Sequence, residues 1–130
     1  MMLKIEDVAK VIENNGHTVE IRTHEDGIRS LLCDTEEYQY VVQFYPSEAH
    51  DLNQFGAIRF ATWFADDVIS LEKVNSFNME YRFANACALS ETYMLQNDVI
   101  IVSTNETTLG YCVMQWENSM QDFEQFIFAD

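Results

Sequence analysis

A chain of 130 residues with 48% hydrophobic and 13% aromatic content, one proline and four glycines is too apolar and too poor in chain breakers to be disordered. By length it is expected to form a single domain over residues 1–130, with a core that removes roughly two thirds of the unfolded surface from water. Seven basic residues against 22 acidic ones leave a formal charge of −15, a field that repels phosphates and anionic headgroups and so argues against nucleic-acid and membrane partners.

The first helix is expected over about residues 3–14, where Ile5, Val8, Ala9 and Ile12 recur at i, i+3, i+4 and i+7. Glu6 and Asp7 favour its positive end, and Asn14-Asn15-Gly16 supplies a left-handed stop. Val19 and Ile21 alternate with Thr18, Glu20 and Arg22, and the His24-Glu25-Asp26-Gly27 turn leads into Ile28 to Cys33, which reads as a hairpin. After the acidic turn Asp34 to Glu37 comes a third strand, Tyr38 to Tyr45. Tyr38, Tyr40, Val42 and Phe44 share one of its faces, and Gln39, Val41, Gln43 and Tyr45 the other. Pro46 to Gly56 reads as a loop over the sheet edge. In the strand Ala57 to Ala65, Ile58, Phe60 and Phe64 oppose Arg59, Ala61 and Trp63, so both faces carry large apolar groups.

The stretch Leu71 to Leu89 sets the architecture. Ser70 is the expected cap of a helix on which Leu71, Val74 and Phe77 line an apolar face that ends at Asn78. From Tyr81 the period changes to two, with Tyr81, Phe83, Asn85 and Cys87 alternating with Arg82, Ala84 and Ala86, so a strand is expected to begin there. Ser90 to Thr92 makes a turn into Tyr93 to Ser103, whose β-branched run Val99 to Val102 predicts cover on both faces. The last helix is expected to start near Asn105 to Thr107 and holds Leu109, Val113, Trp116, Met120, Phe123 and Ile127 at alternating steps of four and three. The order α-β-β-β-β-α-β-β-α implies an α+β fold with helices packed on an antiparallel sheet.

The segment VNSFNMEYRFANACAL, with Asp98 in the following strand and Trp116 and Phe123 in the closing helix, resembles the YbjN family of bacterial proteins. Members carry a VN-x-WN…RF-x-x-A signature at this place. Val74, Asn75, Asn78, Arg82, Phe83 and Ala86 match it, while Phe77 stands where the family has Trp. The aromatic strand AIRFATWFA before that helix is similar as well, and the resemblance spans roughly residues 5–127. The family's glycine-rich entry to the last helix is replaced by Thr104-Asn105-Glu106-Thr107. The resemblance implies a regulatory role in sensory transduction without established catalytic residues. It also implies a fold similar to the type III secretion chaperones, small acidic dimers that hold extended client segments.

The polar residues suggest structural work before chemistry. Asn75, Asn78 and Arg82 could orient an anionic or polar ligand, yet Asn and Arg at a helix end ordinarily bond local backbone, and that reading is the stronger. Asp98 either pairs with Arg82 or marks a strand edge. His17, His24 and His50 sit in turns or loops without zinc-type spacing and are expected to be solvated. The acidic turns lack the ligand pattern of a calcium loop. Cys33, Cys87 and Cys112 are odd in number, widely spaced and set in apolar segments, and read as buried free thiols of a cytoplasmic protein. No signal-peptide or membrane-spanning run is evident. The chain lacks phosphate-cradling glycine loops and the common hydrolase motifs, so no cofactor, metal or catalytic residue is assigned.

The expected function is a non-enzymatic protein-binding module, a homodimer that presents apolar surface to another polypeptide. Trp63, Tyr81, Phe83 and Phe126 are its candidate anchors, since large aromatic groups dominate interface energetics. Phe126-Ile127-Phe128 surrounds the terminal turn with apolar groups that one sheet face cannot cover, and Trp63 makes the same argument for the sheet. The alternative is a small-molecule sensor with a pocket at Asn75, Asn78 and Arg82.

Overall fold

The computed structural model describes residues 3–46, 55–101 and 104–129. The order is α1 (Ile5–Asn14), β1 (Thr18–Thr23), β2 (Arg29–Asp34), β3 (Gln39–Pro46), β4 (Phe55–Ala65), α2 (Leu71–Glu80), β5 (Asn85–Ala88), β6 (Thr92–Ile100) and α3 (Glu106–Ile127). This is the α+β order expected from the sequence. The strands form a six-stranded sheet in the order β1-β2-β3-β4-β6-β5, and every neighbouring pair is antiparallel. The loop expected over Pro46 to Gly56 lies mostly outside the described residues, and β4 already begins at Phe55.

Local chemistry sets the element ends. The Asp7 carboxylate accepts a hydrogen bond from the Lys4 amide at 2.8 Å at the start of α1, and Gly16, at φ 89°, closes its end by donating to the Glu13 carbonyl at 2.9 Å. Gly27 takes φ 85° in the β1–β2 turn, which a Cβ would disfavour. Ser70 caps α2 as expected, its hydroxyl accepting from the Lys73 amide at 3.2 Å. Asn105 does the same for α3, accepting from Thr108 at 2.8 Å. The C-terminal end of α3 is satisfied from a distance: Lys73 Nζ donates to the carbonyls of Ile127 and Ala129, both at 3.0 Å. A cation at the negative end of a helix favours its dipole, and here it also fastens α2 to α3.

The core lies between one face of the sheet and the helices. Leu109, Val113, Trp116, Met120, Phe123 and Ile127 are all fully buried, so the stripe read from the sequence is the contact surface of α3. Trp116 stacks on Phe60 with ring centroids 5.6 Å apart, and Phe123 meets Phe64 at 5.2 Å, Phe77 at 4.9 Å and Tyr93 at 5.9 Å. On β2 and β3, Leu31, Cys33, Tyr40, Val42 and Phe44 point into the same core.

Some expectations give way. Leu71, at the first position of α2, is 67% exposed, so Val74 and Phe77 alone carry the buried stripe. Tyr81 to Ala84 is not strand: Tyr81 ends α2, and pairing with β6 begins at Asn85. Ile100 is 71% exposed, so the β-branched run is covered on one face only, while Val102 lies outside the described residues.

Because Phe123 joins β4, β6 and α2, Phe123→Ala should destabilise the fold by about 3–5 kcal/mol, the usual range for emptying a buried aromatic site. Urea unfolding followed by circular dichroism measures it. Leu71→Ala, at an exposed position, should change stability by less than about 0.5 kcal/mol.

Candidate functional site

Strand alternation gives the sheet a second face, on which no helix or strand packs among the described residues. Leu32, Val41, Ala61 and Gln96 lie in register across β2, β3, β4 and β6 on this side. The neighbouring rows hold Trp63 opposite Met94, and Arg59 opposite Asp98. Ala61 is buried yet stands apart from the helix-side core, covered only by its neighbours on the open face. Trp63 is 46% exposed, and Tyr45 and Ile28 are exposed as well. Together these groups border a groove of about 530 Å³ with Leu32 and Val41 among its lining.

The groove differs in charge from the rest of the chain. Its lining includes Arg22, His24, Arg29, Ser30 and Gln43 but no carboxylate, in a sequence with 22 acidic residues and seven basic ones. Glu20 approaches Arg22 at 3.7 Å from beside the groove, and Arg29 turns away to pair with Glu6 of α1 at 3.1 Å. His24 bonds Ser30 Oγ at 3.1 Å, which orders the rim. Arg59 lies over the Tyr45 ring at 5.6 Å and forks onto Asp98, with Nε donating to Oδ1 at 2.7 Å and Nη2 to Oδ2 at 3.0 Å. That fork holds the Asp98 carboxyl below its ordinary value and raises the guanidinium. Asp98 is therefore paired with Arg59 rather than Arg82. The β4–β6 register brings them together, and no local pattern in the sequence signals it.

The four aromatic candidates do not share one surface. Trp63 sits on the open face, whereas Tyr81 and Phe126 pack with Phe77 at the α2–α3 seam, with centroids of 4.6 Å for Phe77–Tyr81, 5.7 Å for Phe77–Phe126 and 6.0 Å for Tyr81–Phe126. Phe83 packs partly buried against the same core. The second wall that Phe126 needs is thus supplied by α2, while Phe128 stays exposed.

Asn78 accepts from the Ala86 amide through Oδ1 at 2.7 Å and donates from Nδ2 to the Ala86 carbonyl at 2.9 Å. Its amide imitates a strand partner and fastens the end of α2 to the edge strand β5. Asn75 and Arg82 are exposed beside it. The structural reading of this trio therefore accounts for Asn78 completely, and a pocket built around its amide would have to break both bonds.

His17 departs from expectation. It is buried, with Nδ1 2.7 Å from the Tyr40 hydroxyl. His24 is exposed, and His50 falls outside the described residues. Cys33, Cys87 and Cys112 are free, but only Cys33 is buried, while Cys87 and Cys112 are partly exposed. Burial pushes the Cys33 thiol up to about 12 despite the Tyr40 hydroxyl nearby, and also raises Cys112, so both are held as unreactive thiols. Among the described residues no group of three or more His, Cys, Asp or Glu side chains could hold a metal ion. No helix there is long and apolar enough to cross a membrane.

Against this geometry, the family model described as "Putative bacterial sensory transduction regulator", YbjN, matches residues 4–129. The chain belongs to the YbjN family. Residues Val74, Asn75, Asn78, Arg82, Phe83 and Ala86, the signature positions, form the α2–β5 junction, and the Asn78–Ala86 bond pair gives two of them a joint structural role. No curated protein matches the chain.

The Asn78 bonds and the Asp98 fork yield separate expectations. Asn78→Ala leaves the Ala86 groups without their partner and should cost about 1–3 kcal/mol, with faster hydrogen exchange at the Ala86 amide. The depressed Asp98 carboxyl contributes stability above its unfolded pKa of about 3.9, and the contribution disappears as pH falls through the lower folded value. Arg59→Leu should return the Asp98 pKa toward its ordinary value, measured by carboxyl NMR titration. The stability difference from the parent should be less than about 1 kcal/mol at neutral pH, because the pair is partly exposed, and should vanish in acid.

Proposed function

We propose that the chain is a non-enzymatic regulatory module that binds another polypeptide on the open face of its sheet. The observation that carries this reading is the apolar, carboxylate-free groove bordered by the exposed Trp63. A sheet face with aromatic and aliphatic groups at its centre and polar groups at its rim has the anatomy of an interface. The guest is an extended segment with apolar side chains and carboxylates. The apolar groups meet Leu32, Val41 and Trp63, and the carboxylates face a cleft whose lining carries Arg22 and His24 and no acidic residue. Elsewhere the charge of −15 repels acidic chains and confines such a guest to this groove.

The YbjN description as a sensory transduction regulator supports a role exercised through protein contacts. Resemblance to the type III secretion chaperones adds the idea of a cytoplasmic homodimer that holds extended clients. Tyr111 and Met114, exposed one turn apart on α3, offer a second copy apolar surface away from the groove.

The direct experiment uses a fluorescein-labelled nonapeptide alternating leucine and glutamate, and the same peptide with lysine for glutamate. Fluorescence anisotropy should give at least a tenfold preference for the acidic form. Trp63→Ala should weaken its binding about tenfold, or about 1.4 kcal/mol. Equal binding of both peptides, or indifference to Trp63→Ala, would overturn the reading. Light scattering with acrylamide quenching separates the occupants. A dimer in which Trp63 remains quenchable fits the proposal, whereas protection of Trp63 upon dimerisation would give the groove to a second copy and sink the client reading.

A further inference from the structure

The two edges of the sheet are finished differently. At the β5 edge, Asn78 occupies both the N–H and the carbonyl of Ala86, and the strand is only four residues long, two devices that keep a further strand from adding there. The β1 edge has neither. β1 runs for six residues, five of them exposed, in unbroken register with β2 and without proline. Among the described residues no backbone group bonds to its outer side.

The phase of the β1 hydrogen bonds follows from its turn. His24 N–H donates to the Ile28 carbonyl at 2.8 Å, and the register continues from Thr23 opposite Arg29 to Thr18 opposite Asp34. Bonded and non-bonded pairs alternate along an antiparallel ladder. Arg22, Glu20 and Thr18 therefore turn their backbone groups to β2, and Thr23, Ile21 and Val19 turn theirs outward. The side chains divide as well. Val19 and Ile21 stand opposite the buried Cys33 and Leu31, on the helix side, where Ile21 stays exposed. Glu20 and Arg22 lie on the open face.

A strand laid antiparallel on this edge must bring its own outward groups to Thr23, Ile21 and Val19, and β1 itself meets that demand. With a two-fold axis through Ile21, Ile21 faces the partner's Ile21 and Val19 faces the partner's Thr23, each pair exchanging both backbone bonds. Glu20 then stands directly opposite the partner's Arg22, and Arg22 opposite the partner's Glu20, at the non-bonded positions where side chains approach most closely. An axis through Glu20 or Arg22 would instead oppose like charges.

We propose that two copies of the chain join antiparallel along β1, with the two-fold axis at Ile21, into one sheet continuous across both. This deepens the homodimer reading above, rests on it, and names its seam. The interface is isologous, the same patch serving both copies. A charge of −15 makes two copies repel in general, whereas the alternation of Glu20 and Arg22 lets them meet here with opposite charges paired. Because Arg22 also lines the groove, the seam sets the two grooves side by side on one face.

Sedimentation equilibrium of the full chain over a concentration series should show a monomer–dimer equilibrium. Glu20→Arg, at an exposed position, faces the partner's Arg22 and should weaken association about tenfold or more, and adding Arg22→Glu exchanges the two charges and should restore it. Ile21→Pro removes an outward N–H without touching the ladder to β2 and should also break the dimer, with unchanged circular dichroism. In the parent, the Val19, Ile21 and Thr23 amides should exchange slowly when concentrated and quickly when dilute, while those of Glu20 and Arg22 stay protected throughout. A chain monomeric at every concentration would overturn this seam together with the homodimer reading. A dimer indifferent to Glu20→Arg and Ile21→Pro would overturn the seam alone and give the second copy to Tyr111 and Met114 of α3. A double exchange that fails to restore the dimer would overturn the register at Ile21.

Discussion

The packing of α3 along one face of the sheet is the constraint on which the rest depends. Its stripe from Leu109 to Ile127 is fully buried, and Trp116 and Phe123 bind it to β4 and β6 through Phe60, Phe64 and Tyr93. The other helices attach to α3 as well as to the sheet. Residues of α1 and α2 enter the same core, and Lys73 of α2 ties itself to the last carbonyl of α3, at Ile127, and to that of Ala129 just beyond it. With every helix drawn to one side, strand alternation decides the fate of the other side. Phe60 and Phe64 are buried under α3, and Arg59 and Trp63, their neighbours in sequence, necessarily point away from it.

Electrostatics then divides that outward face. In a chain so rich in carboxylates, the acidic groups near the groove are either paired, as Asp98 is with Arg59, or set beside it, as Glu20 is. The groove itself keeps apolar groups and cations. Pairing also gives the face a defined shape, since the Arg59 fork holds the guanidinium over Tyr45. The α2–β5 junction works differently. Asn78 satisfies both backbone groups of Ala86 on an edge strand, so this polar member of the family signature holds α2 to β5.

What the sequence made legible was whatever local periodicity can encode. The steps of four and three in α3 need only the helical repeat, and Ser70, Asn105 and Gly16 act through neighbours within a turn. Strand alternation likewise separated Phe60 from Trp63 without a structure. Periodicity does not say which apolar face finds a cover, and for that reason Leu71 and Ile100 were misjudged as buried. Nor does it give register. The Arg59–Asp98 pair depends on how β6 slides along β4. His17 looked like an ordinary turn residue after Asn15-Gly16, and its burial depends on Tyr40 and Glu117, both distant in sequence. Phe126 looked surplus because its cover, Phe77 and Tyr81, comes from a different helix.

The sheet's two faces can be compared directly by methyl relaxation in the presence of a soluble paramagnetic gadolinium chelate, using neighbouring residues that alternation sends opposite ways. Leu31, Val42 and Leu95 are fully buried beneath the helices, while Leu32, Val41 and Met94 line the open side and are only partly buried. In dilute free protein the methyl groups of Leu32, Val41 and Met94 should relax strongly and those of Leu31, Val42 and Leu95 weakly, and a bound acidic peptide should protect the first set alone. Equal protection of both sets in the free protein would mean that the face is already covered, and would contradict an open partner-binding surface.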